Sequence, residues 1–199
     1  MQIKASCAHK EQNKHIRKGA SSSRVAFTII CISTLAGCAT YLGESGVQTK
    51  LEPRSGSNVT GKATLTRQAS GGVRLVVDVN GLQPNHVNGF HIHEKGDCSA
   101  TDGMSAGGHF NPTHGQHGNP TTDMSGRHLG DLPVLQSDAQ GHAHAQVTLP
   151  TASLDVSNVH NLIGRSLVIH RDPDDYVSQP AGNSGPRVAC GVIEVFGGY

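Results

Sequence analysis

Small and apolar side chains fall on every second position in three stretches of the chain. Val59, Gly61, Ala63 and Leu65 alternate with Thr60, Lys62, Thr64 and Thr66. Val73, Leu75, Val77 and Val79 alternate with Arg74, Asp78 and Asn80, Val76 being the exception. Ala143, Ala145, Val147 and Leu149 alternate with His142, His144, Gln146 and Thr148. A period of two belongs to an extended strand whose two faces meet different surroundings. Ser70-Gly71-Gly72, Asn80-Gly81 and Gly141 separate these runs with turn chemistry. Residues 162–170 also read as strand, as does the start of the segment GFHIHEKGDC, residues 89–98. In the latter, His91 and His93 share one face and Ile92 takes the other. No stretch carries a helical stripe. Short strands separated by turns predict an all-β sandwich or barrel.

Two stretches break the alternation. Residues 95–130 are rich in Gly, His, Asn and Pro, and residues 171–186 (RDPDDYVSQPAGNSGP) are of the same kind. Long loops without their own secondary structure are uncommon in a compact domain and are usually functional. Composition fits this picture: 199 residues, 25 of them glycine, no tryptophan and only 16% charged. That length supports one domain with a real core. The Asn58-Val59-Thr60 sequon is read as turn chemistry.

Charge adds an asymmetry. Residues 1–37 hold six Lys/Arg and one acid, whereas the remainder holds ten basic and fourteen acidic residues. A folded part with an acidic excess argues against a basic stripe for nucleic acid. Behind the basic stretch comes VAFTIICISTLAG, residues 25–37, apolar but too short to span a bilayer, where about 20 residues are needed. Basic, then apolar, then small residues is the layout of a secretory signal. Its end, LAGC, resembles the lipobox of bacterial lipoproteins, which implies cleavage before Cys38 and a lipid on its sulfur. Ordinary cleavage nearby is the alternative. Ala39 favours the outer over the inner membrane. On this reading residues 1–37 are a lipoprotein signal peptide, residues 38–46 a lipidated N-terminus and tether, and residues 47–199 the domain, on the periplasmic side of the envelope. Cys7 and Cys31 leave with the signal and Cys38 is capped. Cys98 and Cys190 remain, and in an oxidising compartment they are expected to pair.

Thirteen histidines is a high count for this length. His109, His114 and His117, then His128 with Asp131, lie in or near the long loop; His170 ends a strand. Together with His91 and His93 they predict a histidine-rich, binuclear metal site. Imidazoles alone suit copper, and imidazoles with one carboxylate in a closed tetrahedron suit zinc. Spacing does not say which metal sits where.

The motifs GFHIHEKGDC, AGGHFNP, HG followed by RHLGDLP, IGRSLVIH, DDY and GNSGPRVACGVI occur in this order. In them the chain resembles the bacterial copper/zinc superoxide dismutases over residues 47–199. The resemblance implies an eight-stranded Greek-key β-barrel, an immunoglobulin-like sandwich with two long functional loops. It implies copper ligands at His91, His93, His109 and His170, and zinc ligands at His109, His117, His128 and Asp131, with His109 bridging. Asp174 would link His91 to His117, Arg187 would attract the anionic substrate, and Cys98–Cys190 would pin the large loop near Arg187. The implied reaction is dismutation of superoxide to dioxygen and hydrogen peroxide, copper alternating between two oxidation states and His109 supplying a proton. The gap between His117 and His128 is slightly longer than in eukaryotic members. His114 falls off the ligand spacing; His142 and His144 read as solvated, and His86 and His160 as loop or strand-end residues. Lys95 reads either as an attractor of superoxide or as a solvated lysine. Members of the family occur as monomers and as homodimers, so a homodimer is one of two implied states. The alternatives are a non-catalytic periplasmic copper/zinc-binding protein and a zinc hydrolase. The first would lack Arg187 or a copper histidine, and the second would need an open zinc position.

Overall fold

The computed structural model describes residues 46–122 and 126–195. The residues read as signal peptide, Cys38 and most of those read as tether lie outside the described residues.

The three alternating runs are strands. β1 (Val47–Pro53), β2 (Thr60–Arg67), β3 (Val73–Asn80), β4 (Val87–Asn88), β5 (Phe90–His93), β6 (Leu135–Gln136), β7 (Ala143–Leu149), β8 (Ser166–His170) and β9 (Arg187–Val192) follow in chain order. One turn of 3-10 helix, Met104–Ala106, interrupts the long loop. Seven strands form an antiparallel sheet in the order β5-β8-β9-β1-β2-β3-β7, and β4 pairs with β6 in a second, two-stranded sheet.

β4 and β5 are two halves of one run, 87–93, broken only at Gly89. The first half pairs with β6 and the second with β8. Counted as one, the runs number eight, as the resemblance implies. Because β6 also lies against β7, this partner-switching run links the two ends of the large sheet. A strand that changes sheets is a usual way to make the corner of a barrel. Gly89 sits at the switch: a Cβ there would meet the Ser184 hydroxyl at 2.7 Å.

Alternation sets the core. Val73, Leu75, Val77 and Val79 are fully buried, while Arg74 and Asn80 are exposed. Ala63 and Leu65 from β2 and Ala143 and Leu149 from β7 join them, with Leu51, Phe90 and Ile92. Gly61 is forced by packing, since a Cβ there would lie 2.5 Å from the Asp78 carbonyl oxygen. Val76, the exception to the pattern, is half-buried on the outer face.

β8 starts at Ser166, four residues later than the apolar run suggests. The side-chain amide of Asn161 both accepts from and donates to the backbone of Ile163 (3.0 and 2.8 Å), and Gly164 takes φ +80°. Together they turn the chain before the strand begins. All five residues of β8 are buried: Leu167 and Ile169 enter the main core, and Val168 packs with Ala106 and Cys190.

Candidate metal centre

β5 starts the site. Phe90 and Ile92 point into the core, and His91 and His93 take the opposite face. The long loop then adds its backbone to β5. Phe110 N–H donates to the Ile92 carbonyl (2.8 Å), Ile92 N–H to Gly130 (2.9 Å) and Glu94 N–H to Gly108 (2.9 Å). This pairing sets His109 beside His93 and Asp131 beside His91. Gly130 permits it, because a Cβ there would lie 2.2 Å from the Ile92 carbonyl oxygen. His170 arrives from the end of β8.

The result is two buried donor sets sharing one residue. His91, His93, His109 and His170 form one, and His109, His117, His128 and Asp131 the other. In the first set, His91, His93 and His170 are each oriented by their outer nitrogen. His91 Nε2 faces Asp174 Oδ2 (2.7 Å), His93 Nδ1 faces the Gly107 carbonyl (2.9 Å) and His170 Nδ1 the Gly185 carbonyl (3.1 Å). The inner nitrogens then converge: His93 Nε2 and His170 Nε2 are 3.3 Å apart, and the His91 and His109 rings stack at 3.9 Å. In the second set, Asp131 Oδ1 lies 2.9 Å from His109 Nδ1, 2.9 Å from His117 Nδ1 and 3.3 Å from His128 Nδ1. Donors bound tetrahedrally at zinc distances are separated by about 3.3 Å, so these spacings fit. Asp174 Oδ1 takes the outer nitrogen of His117 at 2.9 Å and so joins the two sets.

Both sets fit cations on a second count. Among the described residues, His91 Nδ1, His109 Nε2 and His128 Nδ1 are buried without a hydrogen-bond partner. His128 Nδ1 is within ion-pair distance of Asp131 but is not aligned for a hydrogen bond. Buried polar atoms are rarely left so, and a lone pair aimed at a metal explains all three.

Electrostatics agrees. Burial, with the neighbouring imidazoles, holds His93 well below its ordinary value and lowers His170 to about 3. Burial also lowers His109 to about 4, against the opposing pull of Asp131. These rings stay neutral at pH 7, which is the metal-binding form. His117 goes the other way: burial opposes its charge, but Asp131 and Asp174 outweigh it and raise it to about 9. For Asp131 and Asp174, burial favours the neutral acid, yet hydrogen bonds from the histidines hold both well below the usual carboxylate range.

Arg187 opens β9 and lines a surface cleft of about 390 Å³ together with His170, Asp102 and Ser184. Its guanidinium donates to the Gly103 (2.7 Å) and Gly107 (2.6 Å) carbonyls. Burial weakens its charged form somewhat and Asp102 restores part of it. Gly107 thus takes both Arg187 and His93. Cys98 and Cys190 form a disulfide with Cα atoms 5.8 Å apart, closing a 92-residue separation. It fastens the loop carrying Gly103 and Gly107 to the strand carrying Arg187.

The remaining histidines among the described residues stay outside. His114 is exposed in a turn at φ +57°. His144 is exposed beside Asp78 (2.8 Å) and His142 beside Asp138 (3.7 Å). His86 bonds the Arg171 carbonyl and His160 the Thr151 carbonyl, both in loops. Lys95 is exposed. One residue near the first donor set carried little sequence signal. Asn88 is buried and donates to the carbonyls of His170 (2.8 Å) and Arg171 (3.0 Å), fixing the end of β8.

A family model for copper/zinc superoxide dismutase matches residues 59–193. Superoxide dismutase (Cu-Zn) 2 of Aquifex aeolicus (strain VF5) is 44% identical over 138 residues, 68% of this chain and 79% of that protein. Superoxide dismutase (Cu-Zn) 1 of the same organism is 44% identical over 137 residues, 67% and 79% of the two chains. The crystal structure of a double mutant of a SOD-like protein from Bacillus subtilis superposes with TM-score 0.68 at 35% identity, covering 75% of this chain and 99% of that one. With two donor sets joined at one histidine, an eight-run antiparallel barrel and these relatives, the chain belongs to the copper/zinc superoxide dismutase family.

Proposed function

We propose that this chain dismutates superoxide: two superoxide anions and two protons become one dioxygen and one hydrogen peroxide. His91, His93, His109 and His170 hold copper, and His109, His117, His128 and Asp131 hold zinc. Bound copper supplies one-electron redox chemistry, and bound zinc supplies fixed charge without redox chemistry. The observation that carries the reading is His109, which offers Nε2 to one buried donor set and Nδ1 to the other.

The chain's own residues do the rest. His109 Nε2 has no hydrogen-bond partner within the protein, so it is free to hold a proton and pass it to a reduced substrate. Asp174 fixes the rings of His91 and His117 at once, which sets their tautomers. Arg187 puts a cation in the cleft beside His170, on a domain whose net charge is otherwise negative. A positive site focused in a cleft raises the encounter rate of a small anion.

The test is superoxide loss by the full-length protein loaded with copper and zinc, beside His170→Ala loaded alike. Near-diffusion-limited loss in the parent, abolished in the variant, is the expected result. A parent that holds both metals yet consumes no superoxide would be a metal-holding protein instead.

The same proposal extends to location. Cys38 carries a lipid, residues 38–46 form the tether, and the domain works at the periplasmic face of the envelope, on the outer membrane. The basic, apolar, LAGC order supports this, as does a disulfide that persists in oxidising compartments. Radiolabelled palmitate should enter the parent and not Cys38→Ser; equal labelling of both would sink the anchor.

A further inference from the structure

We propose that Gln179 is a positioning residue for the zinc donor His117, an inference that rests on the zinc assignment above. Gln179 lies in the loop between β8 and β9, 62 residues from His117. Its Oε1 accepts from the His117 backbone N–H at 2.9 Å, and its Nε2 donates to the His117 carbonyl at 2.9 Å. One side-chain amide therefore takes both main-chain groups of a single metal donor. Neither bond can be made with the amide reversed, so the pairing fixes the orientation of Gln179 as well.

The loop is built to present this amide. Asp175 Oδ1 accepts from Val177 N–H (2.9 Å) and Ser178 N–H (2.8 Å), and Ser178 Oγ donates to Asp175 Oδ2 (2.6 Å). Gly182 N–H bonds the Ser178 carbonyl and Asp175 N–H the Gly182 carbonyl, at 2.7 and 3.0 Å. Residues 175–182 thus form a closed turn with Gln179 at its tip. Tyr176 adds a further anchor, its hydroxyl accepting from Val134 N–H at 2.9 Å, close behind Asp131. Gly182 packs on the Asp174–His117 contact itself, where a Cβ would lie 2.6 Å from His117 Nε2.

His117 is consequently held three ways by one loop and its neighbours. Asp174 orients the imidazole from outside, Asp131 meets it from inside, and Gln179 fixes the backbone that carries it. The same loop supplies Gly185, whose carbonyl orients His170, and runs directly into Arg187. Gln179 therefore ties the order of the copper cleft to the zinc donor by a route independent of the shared ligand His109.

The test is the rate of zinc release to a chromogenic chelator from the copper- and zinc-loaded full-length protein. Partners that orient metal ligands typically alter metal affinity by 10–100-fold. Gln179→Ala should release zinc about tenfold faster. Gln179→Glu, nearly the same shape, keeps an acceptor for His117 N–H but turns a second acceptor to its carbonyl, so it should release zinc faster as well. Gln136→Ala removes another amide bonded to backbone, at the Ser137 and His86 carbonyls, and should release zinc like the parent. Hydrogen exchange at residues 175–186 should quicken in both Gln179 variants. Zinc release within twofold of the parent in Gln179→Glu overturns the proposal, whether or not Gln179→Ala folds. Equal acceleration in Gln136→Ala also overturns it, since the effect would then be general loosening. A parent with no dismutase activity but with Gln179-dependent zinc release leaves the clamp standing and removes the catalytic reading instead.

Discussion

At the scale of single residues, the site works because the two nitrogens of a ring are given different tasks. A histidine has two nitrogens, and here one is fixed by a carboxylate or carbonyl so that the other is left for a cation. Arg187 has its job by the same logic. Two carbonyls hold its guanidinium in place on the cleft wall, and neither carries a full charge that would neutralise it. Arg187→Ala should therefore lower the second-order rate constant for superoxide at least tenfold at low salt and flatten its dependence on ionic strength. Stopped-flow measurement across a salt series reads both, and an unchanged slope would assign the steering elsewhere.

At the scale of elements, strands make the frame and a disulfide makes the loop part of it. Leu75 is fully buried at the centre of β3, between β2 and β7. Leu75→Ala should cost about 3 kcal/mol of unfolding free energy, read as a lower urea midpoint with metals bound. The Cys98–Cys190 bridge closes a long loop and is worth about 4 kcal/mol on a chain-entropy account. Its larger role is local, because the loop it fastens supplies both carbonyls that hold Arg187. Cys98→Ser with Cys190→Ser should thus lower stability and also slow superoxide consumption in molecules that remain folded and metal-loaded. Full activity in that double variant would show that hydrogen bonds alone place Arg187.

At the scale of the whole molecule, the metal site is a reservoir of buried histidine, and that makes the metal-free fold sensitive to acid. Burial lowers His93, His109 and His170 below their unfolded value of about 6.5. As pH falls below about 6.5, the unfolded chain takes up protons that the folded chain refuses, so stability is lost, for His109 down to about pH 4. His117, raised to about 9, has the opposite sign: its contribution is complete below about pH 6.5 and disappears as pH rises through 9. It therefore does not offset the acid loss. The urea midpoint of the chelator-treated protein should decline steadily from pH 7 to pH 4. With metals bound the same donors are withheld from protons, and the decline should begin at lower pH. Matching profiles with and without metal would mean that these histidines do not hold it.

The sequence by itself determined the strands whose two faces differ, since alternation in 59–66, 73–80 and 143–149 leaves only one choice of inward face. The histidine-rich loop and the pair on β5 marked a metal site, but the pair His142 and His144 has the same spacing and stays outside it, so the donor sets came from the resemblance and not from spacing. What the sequence left open was anything set by contacts between distant segments. The start of β8 depended on an Asn161 turn that hydropathy does not register. The division of residues 87–93 between two partners depended on neighbours far along the chain. Asn88 and Gln179 look like ordinary polar residues until folding sets one against the His170 carbonyl and the other against both backbone groups of His117. Residue type and period are local and can be read along the chain. Which nitrogen faces inward, and what holds it there, is decided only when segments tens of residues apart share one buried space.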